Sequence, residues 1–177
     1  MWKLRTALLV AVIALVTPSH CAIERTLGMI KPDCVRNKHV DEIRKIILAQ
    51  GFSFVKEKDT KLDVASAKSF YQEHNGKEFF PSLIEFMTSG PVHPMVLEGE
   101  GAIKKWRALM GPTDSNKARI TAPDSIRAAF GTDNQMNCVH GSDAPESAAR
   151  EISFFFGDDK QASKQEPEAP SKVHEEL

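Results

Sequence analysis

The chain has 177 residues, of which 41% are hydrophobic, so it can form one domain with a proper core and short appendages. Its net charge of −1 gives no indication of nucleic-acid binding through bulk charge. An anion site would have to be built from local groups.

The N-terminus, residues 1–21, has the pattern of a secretory signal peptide. Two basic residues near the start precede an unbroken apolar run at residues 7–16, which Pro18 ends. Small side chains predict cleavage after Cys21. A membrane anchor needs about 20 apolar residues, and a buried core helix fits poorly with the charged flank.

Strands and helices alternate in the predicted domain, residues 22–157. The sequence predicts strands at 25–30, 52–62, 92–97 and up to 138–139, and helices at 40–50, 65–71, 80–87, 103–109, 125–130 and from 144. Loops are predicted at 31–33 and 113–124. This order predicts an α/β sandwich of the ferredoxin-like βαββαβ type, a four-stranded antiparallel sheet with helices packed on it.

The C-terminus, residues 158–177, is polar and acidic, which predicts a disordered tail. It ends in His-Glu-Glu-Leu, residues 174–177, which resembles the signals that retain soluble proteins in the endoplasmic reticulum. With a signal peptide, this motif predicts a protein of the reticulum lumen that meets a retention receptor. The alternative is secretion.

One histidine, His140, directly precedes a Gly-Ser-Asp turn at the start of the last predicted helix. Asp143 is predicted to cap that helix, with Glu146 completing a capping box. An imidazole at such a junction is a titratable nucleophile that can carry a phosphoryl group.

Four segments together resemble the nucleoside diphosphate kinase family. They are residues 24–33, with the family's opening strand, 79–83 and 87–92, with its central helix and strand, and 137–152, with its active-site signature. The resemblance covers roughly residues 24–157. It implies a ping-pong reaction, in which a nucleoside triphosphate phosphorylates His140 and the phosphohistidine then phosphorylates a nucleoside diphosphate.

The resemblance also implies roles for particular residues. His140, Lys31 and Glu151 are the expected catalytic residues, with Glu151 holding the second ring nitrogen of His140. The expected substrate-binding residues, which meet phosphates, ribose and base, are Lys31, Tyr71, Phe79, Leu83, Arg107, Thr113, Arg127, Asn137 and Ser142. Stacking of the base on Phe79 would tolerate any base. Mg²⁺ is expected on the nucleotide phosphates rather than in a site of the protein's own.

The loop at 113–127 is longer than in the best-known members and resembles a more divergent branch, some members of which are found in cilia and sperm. In hexameric members this loop lies at the trimer contact. Because the loop is longer here, a dimer is expected at least as much as a hexamer. The expected assembly is a homo-oligomer of one of these two sizes. No membrane span and no nucleic acid are required.

Two cysteines, Cys34 and Cys138, remain after the predicted cleavage. Both are close to the predicted site, and one hypothesis is that they form a redox-sensitive pair. The alternative is a pair of inert buried thiols. Two cysteines do not form a disulfide scaffold.

The sequence therefore predicts a lumenal enzyme that transfers the γ-phosphoryl group between nucleotides. One alternative is a catalytically weak or inactive nucleotide-binding or interaction module of the same fold. Another is a phosphohistidine-dependent protein kinase or signalling protein, which would need a protein acceptor.

Overall fold

A computed structural model describes residues 23–157 of the chain. The predicted signal peptide and the predicted acidic tail lie outside the described residues, as does the C-terminal retention motif. Within residues 23–157, no helix combines the length and the apolar character needed to cross a membrane.

Five strands and eight α-helices follow one another along the described chain. In order they are β1 (Ile23–Ile30), α1 (Pro32–Arg36), α2 (Val40–Ala49), β2 (Ser53–Glu57), β3 (Thr60–Lys61), α3 (Val64–Phe70), α4 (Phe80–Thr88), β4 (Pro91–Glu100), α5 (Ala102–Met110), α6 (Ser115–Thr121), α7 (Ile126–Phe130), β5 (Val139–Gly141) and α8 (Pro145–Phe156). A single 3-10 turn, Gln72–His74, follows α3.

The main sheet is antiparallel, with the strand order β2-β4-β1-β5. This order confirms the predicted ferredoxin-like fold. The prediction of four strands is short by one, because the two-residue β3 also pairs with β4. The longest strands, β1 and β4, pair over eight positions and form the centre of the sheet.

Two hydrophobic cores cover the two faces of the sheet. One face packs against α1, α2 and α5, with Ile30 and Trp106 fully buried there. The other packs against α3, α4 and α8, with Leu27 and Met29 fully buried there. Residues of β1 alternate between the two cores because successive side chains of a strand point to opposite faces.

Local contacts mark the ends of several helices. Asp63 accepts a hydrogen bond of 2.7 Å from the backbone N–H of Ser66 and so caps α3. Ser125 caps α7 in the same way, through the N–H of Ala128. Gly51 follows α2 with a φ of +75°, a conformation that glycine adopts at little cost.

Four of the predicted elements were wrong in detail. The predicted loop at 31–33 enters α1, because proline fits the first turn of a helix, where its missing N–H is not needed. The predicted loop at 113–124 contains α6, which Asp114 caps through the N–H of Asn116. The predicted strand 52–62 is divided into β2 and β3, and the last strand extends through His140 to Gly141.

Candidate active site

His140 lies in β5, where it pairs with Met29 of the central strand β1. Its backbone carbonyl accepts a hydrogen bond of 3.2 Å from Nε1 of the fully buried Trp106. Its ring meets the rings of Phe70 and Tyr71 edge-on, at centroid distances of 5.2 and 5.9 Å. Both the backbone and the imidazole are therefore held in place by packed neighbours.

Glu151, in the second turn of α8, fixes the tautomer of His140. Its Oε2 lies 3.0 Å from Nε2 of the imidazole and accepts a hydrogen bond of 2.7 Å from the hydroxyl of Ser142. Burial alone would raise the pKa of Glu151. The hydrogen bonds from His140 and Ser142, with the charges of His140 and Arg150, outweigh burial and lower it below its usual value. An ionised carboxylate only accepts, so Nε2 carries the ring proton and Nδ1 keeps its lone pair.

The start of α8 differs from the predicted capping box. The residue before the helix is Ala144, and the hydroxyl of Ser147 accepts hydrogen bonds from the N–H groups of Asp143 and Ala144. The Asp143 carboxylate lies 2.7 Å from that hydroxyl, and this contact lowers the pKa of Asp143. Ser147 therefore takes the capping-box role that was predicted for Glu146. The helix begins at Pro145, so Ser147 and not Glu146 occupies its third position.

Lys31 lies between β1 and α1 and turns its ammonium group towards Asn137. Its Nζ donates a 2.6 Å hydrogen bond to Oδ1 of Asn137 and a 3.3 Å bond to the carbonyl oxygen of Gln135. Burial, followed by the charge of Arg127, lowers the pKa of Lys31 from 10.5 to about 7. Burial removes the water that would stabilise the charged ammonium group. A bound anion in front of it would stabilise that charge instead.

Arg127, in α7, is a second buried cation of the site. Its guanidinium donates to the carbonyl oxygens of Gly111 and Val139 at 2.8 and 3.0 Å. Burial and the neighbouring charge of Arg107 lower the pKa of Arg127 to about 10. Arg127 therefore stays charged at neutral pH, and its position is fixed by the backbone.

Two buried donors at the site have no hydrogen-bond partner among the described residues. They are the hydroxyl of Tyr71 and Nε of Arg127. Burial raises the pKa of Tyr71, so its hydroxyl remains a donor at neutral pH. Leaving buried donors unpaired costs free energy, which a ligand with acceptor oxygens would recover.

One cavity of about 410 Å³ brings the predicted residues together. All of the predicted site residues except Ser142 line it. These ten predicted residues are Lys31, Tyr71, Phe79, Leu83, Arg107, Thr113, Arg127, Asn137, His140 and Glu151. Ser142 is buried behind the cavity and reaches it through its hydrogen bond to Glu151. A volume of this size suits a nucleotide-sized ligand.

The cavity also contains residues that were not predicted from the sequence. These are Glu73, His74, Asn134 and Gln135. Glu73 and His74 lie two and three residues after Tyr71, so their position near a predicted residue was the available signal. Asn134 and Gln135 belong to an irregular segment just before Asn137, where no periodicity could indicate which way they point.

A disulfide joins Cys34 to Cys138, with their Cα atoms 5.1 Å apart. Cys138 is held further by Asp33, whose Oδ2 accepts its N–H at 3.0 Å, and by the N–H of Lys31, which donates to its carbonyl oxygen at 2.8 Å. The interpretation of two free thiols is therefore wrong for this structure. Both cysteines are fully buried, and redox sensitivity stays a prediction.

Among residues 23–157, no group of three or more histidine, cysteine, aspartate or glutamate residues is arranged to hold a metal ion. Two carboxylates that line the cavity, Glu73 and Asp143, are nevertheless available to a metal that enters with a ligand.

Comparison with known proteins agrees with this geometry. The model of the family "Nucleoside diphosphate kinase" matches residues 24–161. A protein of Arabidopsis thaliana described as "Probable nucleoside diphosphate kinase 5" is 54% identical over 130 residues, which cover 73% of this chain and 90% of the relative. A nucleoside diphosphate kinase of Aquifex aeolicus (strain VF5) is 47% identical over 135 residues, 76% of this chain and 95% of the relative.

Solved structures show the same relationship. A crystal structure of the Aquifex aeolicus nucleoside diphosphate kinase has a TM-score of 0.75 and 47% identity, covering 76% of this chain and 96% of that one. A Halobacterium salinarum nucleoside diphosphate kinase in complex with CDP has a TM-score of 0.73 and 40% identity, covering 78% and 90%. The family match over most of the chain, with identities near one half, establishes that the protein belongs to the nucleoside diphosphate kinase family.

Proposed function

We propose that this protein transfers the γ-phosphoryl group of a nucleoside triphosphate to a nucleoside diphosphate by a ping-pong mechanism through His140. Membership of the family makes the chain an enzyme of phosphoryl transfer between nucleotides. The observation that carries the proposed mechanism is the orientation of His140. Its Nε2 is bound to Glu151, while its ring lines a cavity with the cations Lys31 and Arg127.

In the first half-reaction, the lone pair on Nδ1 of His140 attacks the γ-phosphorus. A nitrogen–phosphorus bond forms, the bond from phosphorus to the bridging oxygen breaks, and a nucleoside diphosphate leaves with that electron pair. No proton needs to leave Nδ1, because Glu151 keeps the ring proton on Nε2. The second half-reaction reverses these steps with a new diphosphate, whose terminal oxygen takes the phosphoryl group.

The ring of His140 gains positive charge as the nitrogen–phosphorus bond forms. Glu151 is buried and ionised on the opposite side of the imidazole, so it stabilises that charge. Ser142 keeps the carboxylate in position through its second contact with Oε2. These two residues act on the nucleophile without touching the phosphate.

Several donors around the cavity suit the oxygens of the transferring phosphoryl group. The unpartnered Tyr71 hydroxyl and Arg127 Nε are pre-placed donors, and Lys31 and Arg107 add positive charge. Charge neutralisation and positioning account for most of the catalysis in phosphoryl transfer. Thr113 and Asn137 line the same cavity and are proposed to bind phosphate or ribose oxygens.

Mg²⁺ is proposed to enter on the nucleotide, held mainly by phosphate oxygens. The donors present fit that arrangement, because two of the carboxylates that line the cavity, Asp143 and Glu73, could each add an oxygen ligand. When bound, the ion neutralises phosphate charge.

The base is proposed to rest on Phe79, with Leu83 beneath it. Phe79 precedes α4 and is 48% exposed, which leaves a ring face open at the mouth of the cavity. Stacking on an aromatic face accepts any base, so broad nucleoside specificity is expected. The complex of the related Halobacterium salinarum structure with CDP supports a nucleotide ligand.

The reaction is proposed to take place in the lumen of the endoplasmic reticulum. The predicted signal peptide and the His-Glu-Glu-Leu end support this location. The disulfide between Cys34 and Cys138 supports it independently, because disulfides persist in oxidising compartments and are rare in the cytosol. Secretion is the alternative, with retention by a receptor depending on the last four residues.

A homo-oligomer, either a dimer or a hexamer, is proposed for the assembled enzyme. The segment at 113–127 is the basis for assigning the chain to a divergent branch, and in this structure it contains α6. Ile120 on α6 is 82% exposed, which leaves an apolar side chain available for a subunit contact.

The test is phosphoryl transfer from ATP to GDP by wild type, His140→Ala and the control His39→Ala, whose side chain lies outside the cavity. Wild type and the control should turn over, and only they should form an acid-labile phosphohistidine. Turnover by His140→Ala at the wild-type rate would refute the role of His140. Nucleotide binding without turnover in all three proteins would favour a non-catalytic nucleotide-binding module instead.

A further inference from the structure

A hydrogen-bonded bridge joins Gln135, which lines the cavity, to Ser82 in the first turn of α4. Nε2 of Gln135 donates to the backbone carbonyl of Ser82 at 3.1 Å, and the hydroxyl of Ser82 lies 2.9 Å from Oε1 of Gln135. The carbonyl of Ser82 can only accept, so it fixes which end of the amide faces it. The two residues are 53 positions apart in sequence, so the bridge joins separate parts of the chain.

At one end, the bridge is attached to Ser82 in the first turn of α4, the helix that directly follows Phe79. The hydroxyl of Ser82 is also 2.9 Å from the carbonyl oxygen of Phe79, so its one proton can serve either acceptor. The ring of Phe79 meets that of His74 at a centroid distance of 5.6 Å. The position of the Phe79 ring is therefore constrained by its contact with His74 and by the hydrogen bond of Ser82 to the Phe79 backbone.

On the other side, the bridge ends in a segment, residues 132–137, that is rigid by its own hydrogen bonds. Oδ1 of Asp133 accepts the N–H groups of Gln135 and Met136, both at 2.7 Å. The carbonyl oxygen of Gln135 accepts from Lys31, and the amide nitrogen of Asn137 donates to the carbonyl oxygens of Thr113 and Asn134. This segment is thus anchored to the phosphate-facing part of the cavity.

The start of α4 with Phe79 and the segment 132–137 form two walls, each held by its own hydrogen bonds. The side chain of Gln135 joins these two walls. The separation between the ring of Phe79 and residues 134–135 is consequently set by the length of this bridge. A planar base must enter between these walls if it is to stack on Phe79.

We propose that Gln135 is a positioning residue, which sets the width of the opening that receives the nucleotide base. The proposal rests on the proposed function and adds a determinant of affinity for base-bearing ligands. The phosphates do not use this opening, since their proposed partners lie beside His140. Loss of the bridge should therefore weaken binding of nucleotides but not of a ligand that lacks a base.

The experiment compares wild type, Gln135→Met, Ser82→Ala, the double variant and the control Gln50→Met. Methionine keeps the length of the side chain without its hydrogen bonds, and Gln50 is exposed at the end of α2, outside the cavity. Calorimetry gives the Kd of ADP, UDP and inorganic pyrophosphate, and the transfer assay gives KM and kcat.

Gln135→Met should raise Kd and KM for both nucleotides about three- to tenfold, the range expected for losing one or two hydrogen bonds. Its kcat and its Kd for pyrophosphate should stay within about twofold of wild type. Ser82→Ala should have a smaller effect, because its backbone carbonyl still accepts from Gln135. The double variant should be no weaker than Gln135→Met alone.

Equal weakening towards pyrophosphate, additive effects of the two substitutions, or unchanged nucleotide affinity would each overturn the proposal. If wild type itself transferred no phosphoryl group and bound no nucleotide, the proposed function would fail, and the role of Gln135 would fail with it. Wild-type transfer with unaffected Gln135→Met would refute the role of Gln135 alone.

Discussion

Glu151 and His140 are joined by a hydrogen bond of 3.0 Å between Oε2 of the carboxylate and Nε2 of the ring. They come from different elements, α8 and β5, which Ser142 connects through its contact with the same oxygen. The acceptor is nearly fully buried, so water cannot replace it at low cost.

Replacing Glu151 with glutamine should reduce kcat by about tenfold to a hundredfold with little change in KM. Loss of a hydrogen bond to a charged group costs about 1.5–3 kcal/mol, and each 1.4 kcal/mol of barrier is a factor of ten. Steady-state kinetics and the rate of phosphohistidine formation measure the effect. Glu146→Gln, an exposed change in the first turn of α8, is the control and should behave as wild type.

Nucleotide affinity should fall as the pH rises above 7, and Lys31 is the reason. Burial and the charge of Arg127 lower its pKa to about 7, although Asp33 and Asp133 oppose the shift. Bound phosphates favour the charged form and raise this pKa again, so binding takes up a proton between the two values. Between pH 7 and 9, Kd for ADP should rise by at most about tenfold per pH unit.

Calorimetry in buffers of different ionisation enthalpy measures this proton uptake directly. Lys31→Arg stays charged and should lose the pH dependence, so an unchanged slope in that variant would assign it to another group. The lowered pKa of Lys31 has the opposite effect on folding stability, which rises with pH while nucleotide affinity falls. The unfolded chain binds more protons than the folded one from about pH 7 up to 10.5, so this group makes the fold more stable as the pH rises through that window.

Substitution of Gly141 by alanine should destabilise the protein by about 1–3 kcal/mol. A Cβ at this position would collide with Nε1 and Cδ1 of Trp106 and lie 2.8 Å from Cε of Met110. All of these atoms are in a packed core, and Trp106 also holds the carbonyl of His140. Urea unfolding measures the loss, and Gly99→Ala, whose Cβ would make only ordinary contacts, is the control.

Removing the disulfide should lower the free energy of unfolding by about 2–5 kcal/mol, because the bond closes a long loop in the unfolded chain. The sequence separation of Cys34 and Cys138 is 104 residues. Urea unfolding of Cys34→Ser/Cys138→Ser against wild type tests this. Non-reducing mass spectrometry after alkylation of the denatured wild type should show no modified Cys34 or Cys138. Alkylation of both would contradict the bond.

The sequence predicted the parts of the fold that depend on local signals. A cap such as Asp63 has short-range chemistry that can be read from the chain, and the apolar spacing of α2 and α5 marks the faces that pack on the sheet. The helix α6 escaped prediction because it is short and contributes little to the core, with Ser115 and Ala118 as its buried residues. No apolar period distinguishes such a helix from a loop.

The site residues also divide into those that the sequence identifies and those that depend on contacts between distant segments. Residues such as Lys31 and His140 were identified by the family resemblance, and the structure places them around one cavity. Gln135 and Ser82 were missed because their relationship exists only after distant segments meet. The opening of α1 was missed because Lys31-Pro32-Asp33 is equally typical of a turn and of a helix start.

The close fit between Gly141 and Trp106 also protects the chain against mispairing of its last strand. A strand as short as β5 gains little from its own hydrogen bonds, so a shift by one residue would cost little in backbone pairing. Such a shift would put the side chain of His140 or Ser142 where only a hydrogen atom fits beneath the indole. Shape exclusion by one tryptophan thus selects the alignment in which the imidazole faces the opposite side of the sheet.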